Sequence, residues 1–224
     1  MCSNEFDVII VAAGSGTRLG YSTPKAFVPL AGKPLLRHSF ETFCRYSGTR
    51  NIILVVPESF VASVRKDFTG TSVTVVAGGA ERWESVRNGC DVATAEWVLV
   101  HDGARPFVTD AVITALLEKR KECDCAFTAT PVVDTIRKYH GSIAGETVDR
   151  SALVRVGTPQ LFKRNLLAEG LRQAPGMRPP PTDEVMLMQR MDIPAGIAWG
   201  DPNNFKITTR EDLATAEALI RQGA

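Results

Sequence analysis

No stretch of this 224-residue chain approaches the roughly 20 consecutive apolar residues that a bilayer span requires. The apolar run behind the polar, acidic N-terminus, Val8 to Ala13, is too short for a signal peptide. Charge of one sign is also missing. Twenty-six Lys and Arg against 25 Asp and Glu leave a net +1, too little for a protein that grips nucleic acid regardless of sequence. Neither a membrane nor a nucleic-acid partner is therefore expected, although local basic pockets for small anions are. Cysteine is scarce and odd in number: Cys2, Cys44, Cys90, Cys123 and Cys125 spell no disulfide framework, and a reduced, cytoplasmic protein is expected. Cys123 and Cys125 make a CxC with no second pair and no neighbouring His, which falls short of a zinc site. Histidine numbers three, and neither His38 nor His140 has an acid/base partner in sequence; His101 is read as ordering its own loop.

What is present is an ordinary globular composition, 44% apolar and 23% charged, in a chain long enough for a full core. Asp7–Ala12, Asn51–Val56, Val73–Val76 and Trp97–Val100 are short Val- and Ile-rich runs of the kind found in strands covered on both faces. Segments with helical spacing lie among them: Leu35–Tyr46, Ser59–Phe68, Ala80–Ala93 and Asp110–Lys121. The alternation predicts an α/β fold with a mostly parallel sheet, extended by Ala126–Pro131. Such sheets bind ligands beyond the carboxyl ends of their strands, here just after Ala12, Val76 and Val100.

After Pro131 the rhythm breaks. Residues 132–156 are polar and turn-rich, with Gly141 and Gly145 bracketing a predicted hairpin, and read as an arm projecting from the domain. Residues 174–182 form a linker. A short helix from Asp183, a strand near Ile197–Trp199 and a helix over Glu211–Gln222, capped by Thr209, close the chain.

The segment richest in chemistry is Val11–Lys25, VAAGSGTRLGYSTPK. Glycines leaving a buried strand let backbone N–H groups approach a polyphosphate. Gly14, Gly16 and Gly20 give GxGxxxG, not the dinucleotide GxGxxG, and no Lys-Ser or Lys-Thr completes a P-loop. Arg18 and Lys25 flank the glycines instead. Two such cations suit a triphosphate attacked at its α-phosphorus, where negative charge gathers on equatorial oxygens. Ala77–Gly89 adds a Gly-Gly turn and a helix carrying Arg82 and Ser85 on one face. HDGARP (101–106) places Asp102 at a strand end, a seat for a ribose hydroxyl or Mg²⁺. NFKIT (204–208) sets Lys206 between apolar residues in a predicted edge strand.

The ordered set AAGxGxR…PK, GGxxRxxSVxxG, HDGARP, DTI, VDR…TPQ, TDE and NFKIT resembles the 2-C-methyl-D-erythritol 4-phosphate (MEP) cytidylyltransferases of the non-mevalonate isoprenoid pathway, over residues 7 to 222. The resemblance implies a monofunctional enzyme with a Rossmann-like nucleotidyltransferase fold and a projecting β-arm. It would transfer CMP from CTP to MEP and release pyrophosphate with the help of a divalent cation, Mg²⁺. Ala12, Ala13, Gly14, Gly16, Gly79 and Ser85 would surround CTP, with Arg82 close to it. Arg18 and Lys25 would stabilise the transition state. Asp102 and Ala104 would hold the ribose side, with Asp102 on the metal, and Arg105 would support that loop. Thr135, Arg150 and Lys206 would grip the acceptor phosphate. Thr135 and Arg150 fall in the arm, so the resemblance implies a homodimer with sites shared between subunits. Ala26 and Ala80 depart from the Gln and Asp common at those positions: the first is expected to loosen packing around Lys25, the second to shift base recognition onto backbone groups and Ser85. A pentitol-phosphate cytidylyltransferase, acting for example on ribitol 5-phosphate, is the alternative enzyme. A non-catalytic nucleotide-sensing domain is the alternative of another class, and the combination of Arg18, Lys25 and Lys206 speaks against it.

Overall fold

The computed structural model describes residues 5–223 apart from 15, 17, 18, 22 and 69–72. Arg18, one of the two cations predicted at the glycine loop, lies outside the described residues. In chain order the elements are β1 (Phe6–Val11), β2 (Pro29–Leu30), β3 (Lys33–Pro34), α1 (Leu35–Arg45), β4 (Thr49–Val56), α2 (Val61–Asp67), β5 (Val73–Ala77), α3 (Arg82–Val92), β6 (Trp97–Asp102) and α4 (Asp110–Glu118). Then come β7 (Cys125–Pro131), β8 (Ile136–His140), β9 (Ile143–Val148), β10 (Val154–Lys163), α5 (Arg164–Gln173), α6 (Glu184–Arg190), β11 (Ala195–Trp199) and α7 (Arg210–Arg221).

Seven strands form one sheet in the order β11-β7-β10-β6-β1-β4-β5. β1 pairs in parallel with β4 and β6, β4 with β5, and β11 with β7; β10 runs against its neighbours β6 and β7. Alternation along each strand divides the core between two faces. Val8 and Ile10 of β1 and Ile52, Leu54 and Val56 of β4 meet Phe40 and Phe43 of α1 and Ile113 and Leu116 of α4. Ile9, Ile53 and Val55 point the other way, to Val86 and Cys90 of α3 and Leu167 and Leu171 of α5. Both faces are covered, which is why these runs lack the polar alternation of a half-exposed strand.

Three sequence expectations need correction. The arm is shorter than 132–156: Val154–Val156 belong to β10 and pair with Pro131–Ala129 of β7. Its hairpin is β8–β9, a separate two-stranded sheet turning at Gly141 (φ +58°), while Gly145 lies within β9. Lys206 is not in an edge strand. The sheet edges are β11 and β5, and residues 204–208 run as irregular chain between β11 and α7. The cap at Thr209 forms as expected, its side chain accepting the Asp212 N–H; Asp183, expected as the first residue of its helix, is instead the cap and accepts the Met186 N–H. Helix α3 starts two residues later than expected, with Glu81 and Glu84 making a reciprocal capping box.

Candidate active site

β1, β5 and β6 all end at one rim of the sheet, and the loops leaving them lock together. Gly16 has φ +68°, and a Cβ there would fall 2.4 Å from Cβ of Lys25, so only glycine lets the loop close on the short 3₁₀ turn that carries Lys25. A Cβ on Gly78 would sit 2.3 Å from Cβ of Ala13, so the turn after β5 rests on the loop after β1. The Ser85 hydroxyl accepts the Gly79 N–H at 3.1 Å and lies 3.4 Å from the Glu81 carbonyl, to which it donates. Buried and doubly engaged, Ser85 shapes the turn. Together these loops enclose a cleft of about 180 Å³. Ala12, Ala13, Gly14, Lys25, Gly79, Arg82, Ser85, Asp102, Ala104 and Lys206 line it, so nearly all the residues expected to form a CTP set are brought together.

Asp102, the last residue of β6, is the electrostatic centre. Its Oδ1 takes the Arg82 guanidinium at 3.3 Å through Nε and Nη2, and its Oδ2 takes Lys206 Nζ at 2.9 Å, with Arg105 Nε at 3.6 Å. Burial alone would raise its pKa, but Arg82, Lys206 and Arg105 together hold the carboxyl well below the usual carboxylate range. The other edge of Arg82 is gripped by Glu184, whose two oxygens accept from Nη1 at 2.6 and 2.7 Å. Burial would lower the Arg82 pKa, yet these two carboxylates raise it above its ordinary value, and the guanidinium stays charged.

Behind Asp102 lies a buried knot. The Arg105 carbonyl accepts from His101 Nε2 at 3.0 Å, which leaves Nδ1 to accept the Thr158 hydroxyl at 3.1 Å; Thr158 Oγ1 in turn accepts the Asp102 N–H at 3.1 Å. Burial pushes His101 down to about pKa 4, and it is neutral near pH 7. His101 thus orders its loop, as expected from the sequence. Asn204 closes the knot, donating to the Thr158 carbonyl at 2.9 Å and accepting Arg105 Nη1 on its own carbonyl at 3.0 Å. The next residues place Lys206: Ile207 is buried with Leu213 and Ala216 of α7, and its N–H donates to Ala104 O at 2.9 Å.

Lys206 also borders a second cavity, of about 490 Å³, lined by Arg105, Thr128, Thr130, Arg155, Thr158 and Asn204 among others. The two cavities meet at this lysine. Thr135 and Arg150, expected in the same site, line neither. Both are exposed on the arm, where the Arg150 guanidinium donates to the Val133 carbonyl of its own segment. Arg155, Thr158, Asn204 and Glu184 carry no site role in the sequence expectations. The TPQ, TDE and NFKIT motifs contain three of them, but nothing in the motifs says what they touch.

The sequence profile of the 2-C-methyl-D-erythritol 4-phosphate cytidylyltransferase family matches residues 6–222. A curated relative of that name from Bacillus velezensis is 40% identical over 227 residues, covering 97% of this chain and 96% of its own. Another from Syntrophotalea carbinolica is 36% identical over 222 residues, with 95% of each chain covered. The crystal structure of the Thermus thermophilus enzyme of that name superposes with a TM-score of 0.82 at 31% identity, covering 97% of this chain and 99% of its own. The 4-diphosphocytidyl-2C-methyl-D-erythritol synthase from Anaerococcus prevotii gives 0.86 at 25% identity, over 98% of each.

Proposed function

The chain belongs to the 2-C-methyl-D-erythritol 4-phosphate cytidylyltransferase family, and from that premise we propose how its residues perform the transfer of CMP from CTP to MEP. The single observation that carries the reading is Lys206, which borders both the glycine-loop cleft and the larger cavity while its ammonium rests on Asp102. CTP occupies the cleft and the acceptor phosphate enters from the cavity, so the reacting groups meet beside that lysine. A phosphate oxygen of MEP attacks the α-phosphorus of CTP in line, a new P–O bond forms, and the bond to the β-phosphate breaks to release pyrophosphate. The acceptor phosphate is ionised near pH 7 and needs no general base. Neutral His101, turned into its knot, supplies none. Lys25, with Arg18 from the same loop, stabilises charge on the equatorial oxygens, and Lys206 holds the acceptor phosphate. An added Cβ at Gly14 would meet nothing within 4 Å, so the chain itself does not demand glycine there; close approach of a phosphate does.

The donors fit a Mg²⁺ that arrives with the triphosphate: Asp102, a hard carboxylate at the end of β6 that lines the cleft, would hold it. Among the described residues no three or more His, Cys, Asp or Glu side chains cluster to hold a metal ion. Held there, such an ion would supply positive charge that lowers repulsion between the two anionic substrates.

The arm supports the homodimer reading. Val133, Tyr139 and Ile143 are 69%, 80% and 73% exposed, which is far more apolar surface than a polar hairpin needs. A second copy would cover these residues and receive Thr135 and Arg150 at its acceptor cavity. Free thiols at Cys44, Cys90, Cys123 and Cys125 favour a reducing, cytoplasmic setting. Among the described residues no helix is long and apolar enough to cross a membrane. The acceptor is tested by pyrophosphate release from CTP with MEP against CTP with ribitol 5-phosphate. MEP should be the preferred substrate by a wide margin, and equal or greater turnover with the pentitol would overturn its assignment.

A further inference from the structure

Glu184 plays no part in the chemistry above, yet it is the more deeply buried of the two carboxylates on Arg82. Its side chain is 1% exposed against 9% for Asp102, and both its oxygens are spent on one guanidinium nitrogen. Helix α6 delivers it across the sheet rim, held by the Asp183 cap and by Gln160 Nε2 donating to Asp183 at 3.3 Å. The cluster as a whole contains three cations, Arg82, Arg105 and Lys206, and two carboxylates, Asp102 and Glu184. Without Glu184, the full charge of Arg82 would fall on Asp102, the one carboxylate left in its ion pairs. Two of the three cations would then have no compensating anion, and a divalent cation would meet a positive site.

We propose that Glu184 is a positioning residue that divides Arg82 between two carboxylates and so leaves Asp102 able to accept a divalent cation together with the nucleotide. This rests on Asp102 being the seat of that cation. A Glu184 that merely ties α6 to α3 would affect folding without changing how strongly the metal assists CTP.

The measurement is the CTP dissociation constant by isothermal titration calorimetry, in EDTA and in saturating Mg²⁺; the ratio of the two reads the metal's assistance. Glu184→Gln should bind CTP in EDTA as well as wild type or better, because the cluster gains positive charge, while the ratio falls about tenfold. The paired variant Arg82→Gln/Glu184→Gln removes one charge of each sign, keeps the cluster's balance and exchanges a buried ion pair for a neutral one, which folds tolerate. Its ratio should stay within about threefold of wild type. An unchanged ratio in folded Glu184→Gln would overturn the proposal, and so would a paired variant that loses assistance tenfold. Should Glu184→Gln fail to fold, the paired variant alone decides between those results. A wild-type chain whose CTP affinity ignores Mg²⁺ would remove the premise about Asp102 and the proposal with it.

Discussion

The two cavities that meet at Lys206 are built differently. On the glycine-loop side the described residues lock together within one chain: Gly16 closes on Lys25, Gly78 on Ala13, and Ser85 ties Gly79 to Glu81. The larger cavity lacks two of the residues expected to serve it: Thr135 and Arg150 lie exposed on the arm, flanking the β8–β9 hairpin. One half of the site is thus specified by short-range sterics between loops that neighbouring strands bring together. On the shared-site proposal, the other half is left for a partner subunit to finish. Damage to the first half should therefore be local and catalytic, whereas damage to the second should depend on assembly.

The largest effect is expected on the finished side. Lys25→Ala should lower kcat by about 10²–10³ while CTP affinity changes little, because the proposed mechanism matches the lysine's charge to oxygens that gain charge only in the transition state. Steady-state kinetics with CTP binding measured separately checks this. A parallel fall in affinity and rate would make Lys25 a ground-state clamp.

The unfinished side is tested by mixing. Arg18→Ala and Arg150→Ala, each inactive alone, are unfolded together and refolded. If each site combines Arg18 of one subunit with Arg150 of its partner, random pairing makes half the dimers mixed, each with one intact site, and about a quarter of wild-type activity returns. If the arm serves its own chain, every mixed site lacks one arginine and nothing returns. A monomer by analytical ultracentrifugation at assay concentration would also remove the shared-site model.

The same contrast governs what the sequence could reveal. β1, β4 and β6 are legible because strand stretches covered on both faces must be apolar, and the glycine loop because close approach demands glycine. β10 is not. Its VRVGTPQLFK mixes Arg, Gly, Pro and Gln, and its buried polar Thr158 becomes tolerable only through the His101 and Asp102 contacts more than fifty residues away in sequence. Lys206 reads as part of a strand because NFKIT alternates. Its apolar neighbour Ile207 packs instead with α7 and the loop at Leu19, which alternation cannot distinguish from a sheet. Glu184 looks like any acidic residue in a first helical turn. Its partnership with Arg82 spans 102 residues and has no local signature.

The seam between the halves is the His101 knot, and its test is the smallest effect and the most direct. His101 is neutral and fully buried, with its pKa depressed from 6.5 to about 4 by burial. The unfolded chain therefore binds a proton at this residue below about pH 6.5 that the folded chain refuses until about pH 4, so its contribution is fully present above that window and is lost as pH falls through it. Asp102 is also depressed, but its own contribution disappears only below the ordinary carboxylate range, near 3.8; Glu184, raised by burial, gains stability as pH falls, so the difference between wild type and a His101 variant is what isolates the imidazole. Between pH 7 and pH 5, denaturant unfolding should show about 2 kcal/mol of stability lost through this one imidazole. His101→Gln offers an amide that does not titrate, so its stability at pH 7 should be lower while its loss between pH 7 and pH 5 shrinks by about the same 2 kcal/mol. An unaltered pH slope in that variant would mean that His101 is protonated or solvated in the folded chain. The carbonyl of Arg105 and the hydroxyl of Thr158 would then not be what hold the end of β6, and the two halves of the site would have to be joined by the Asp102 cluster alone.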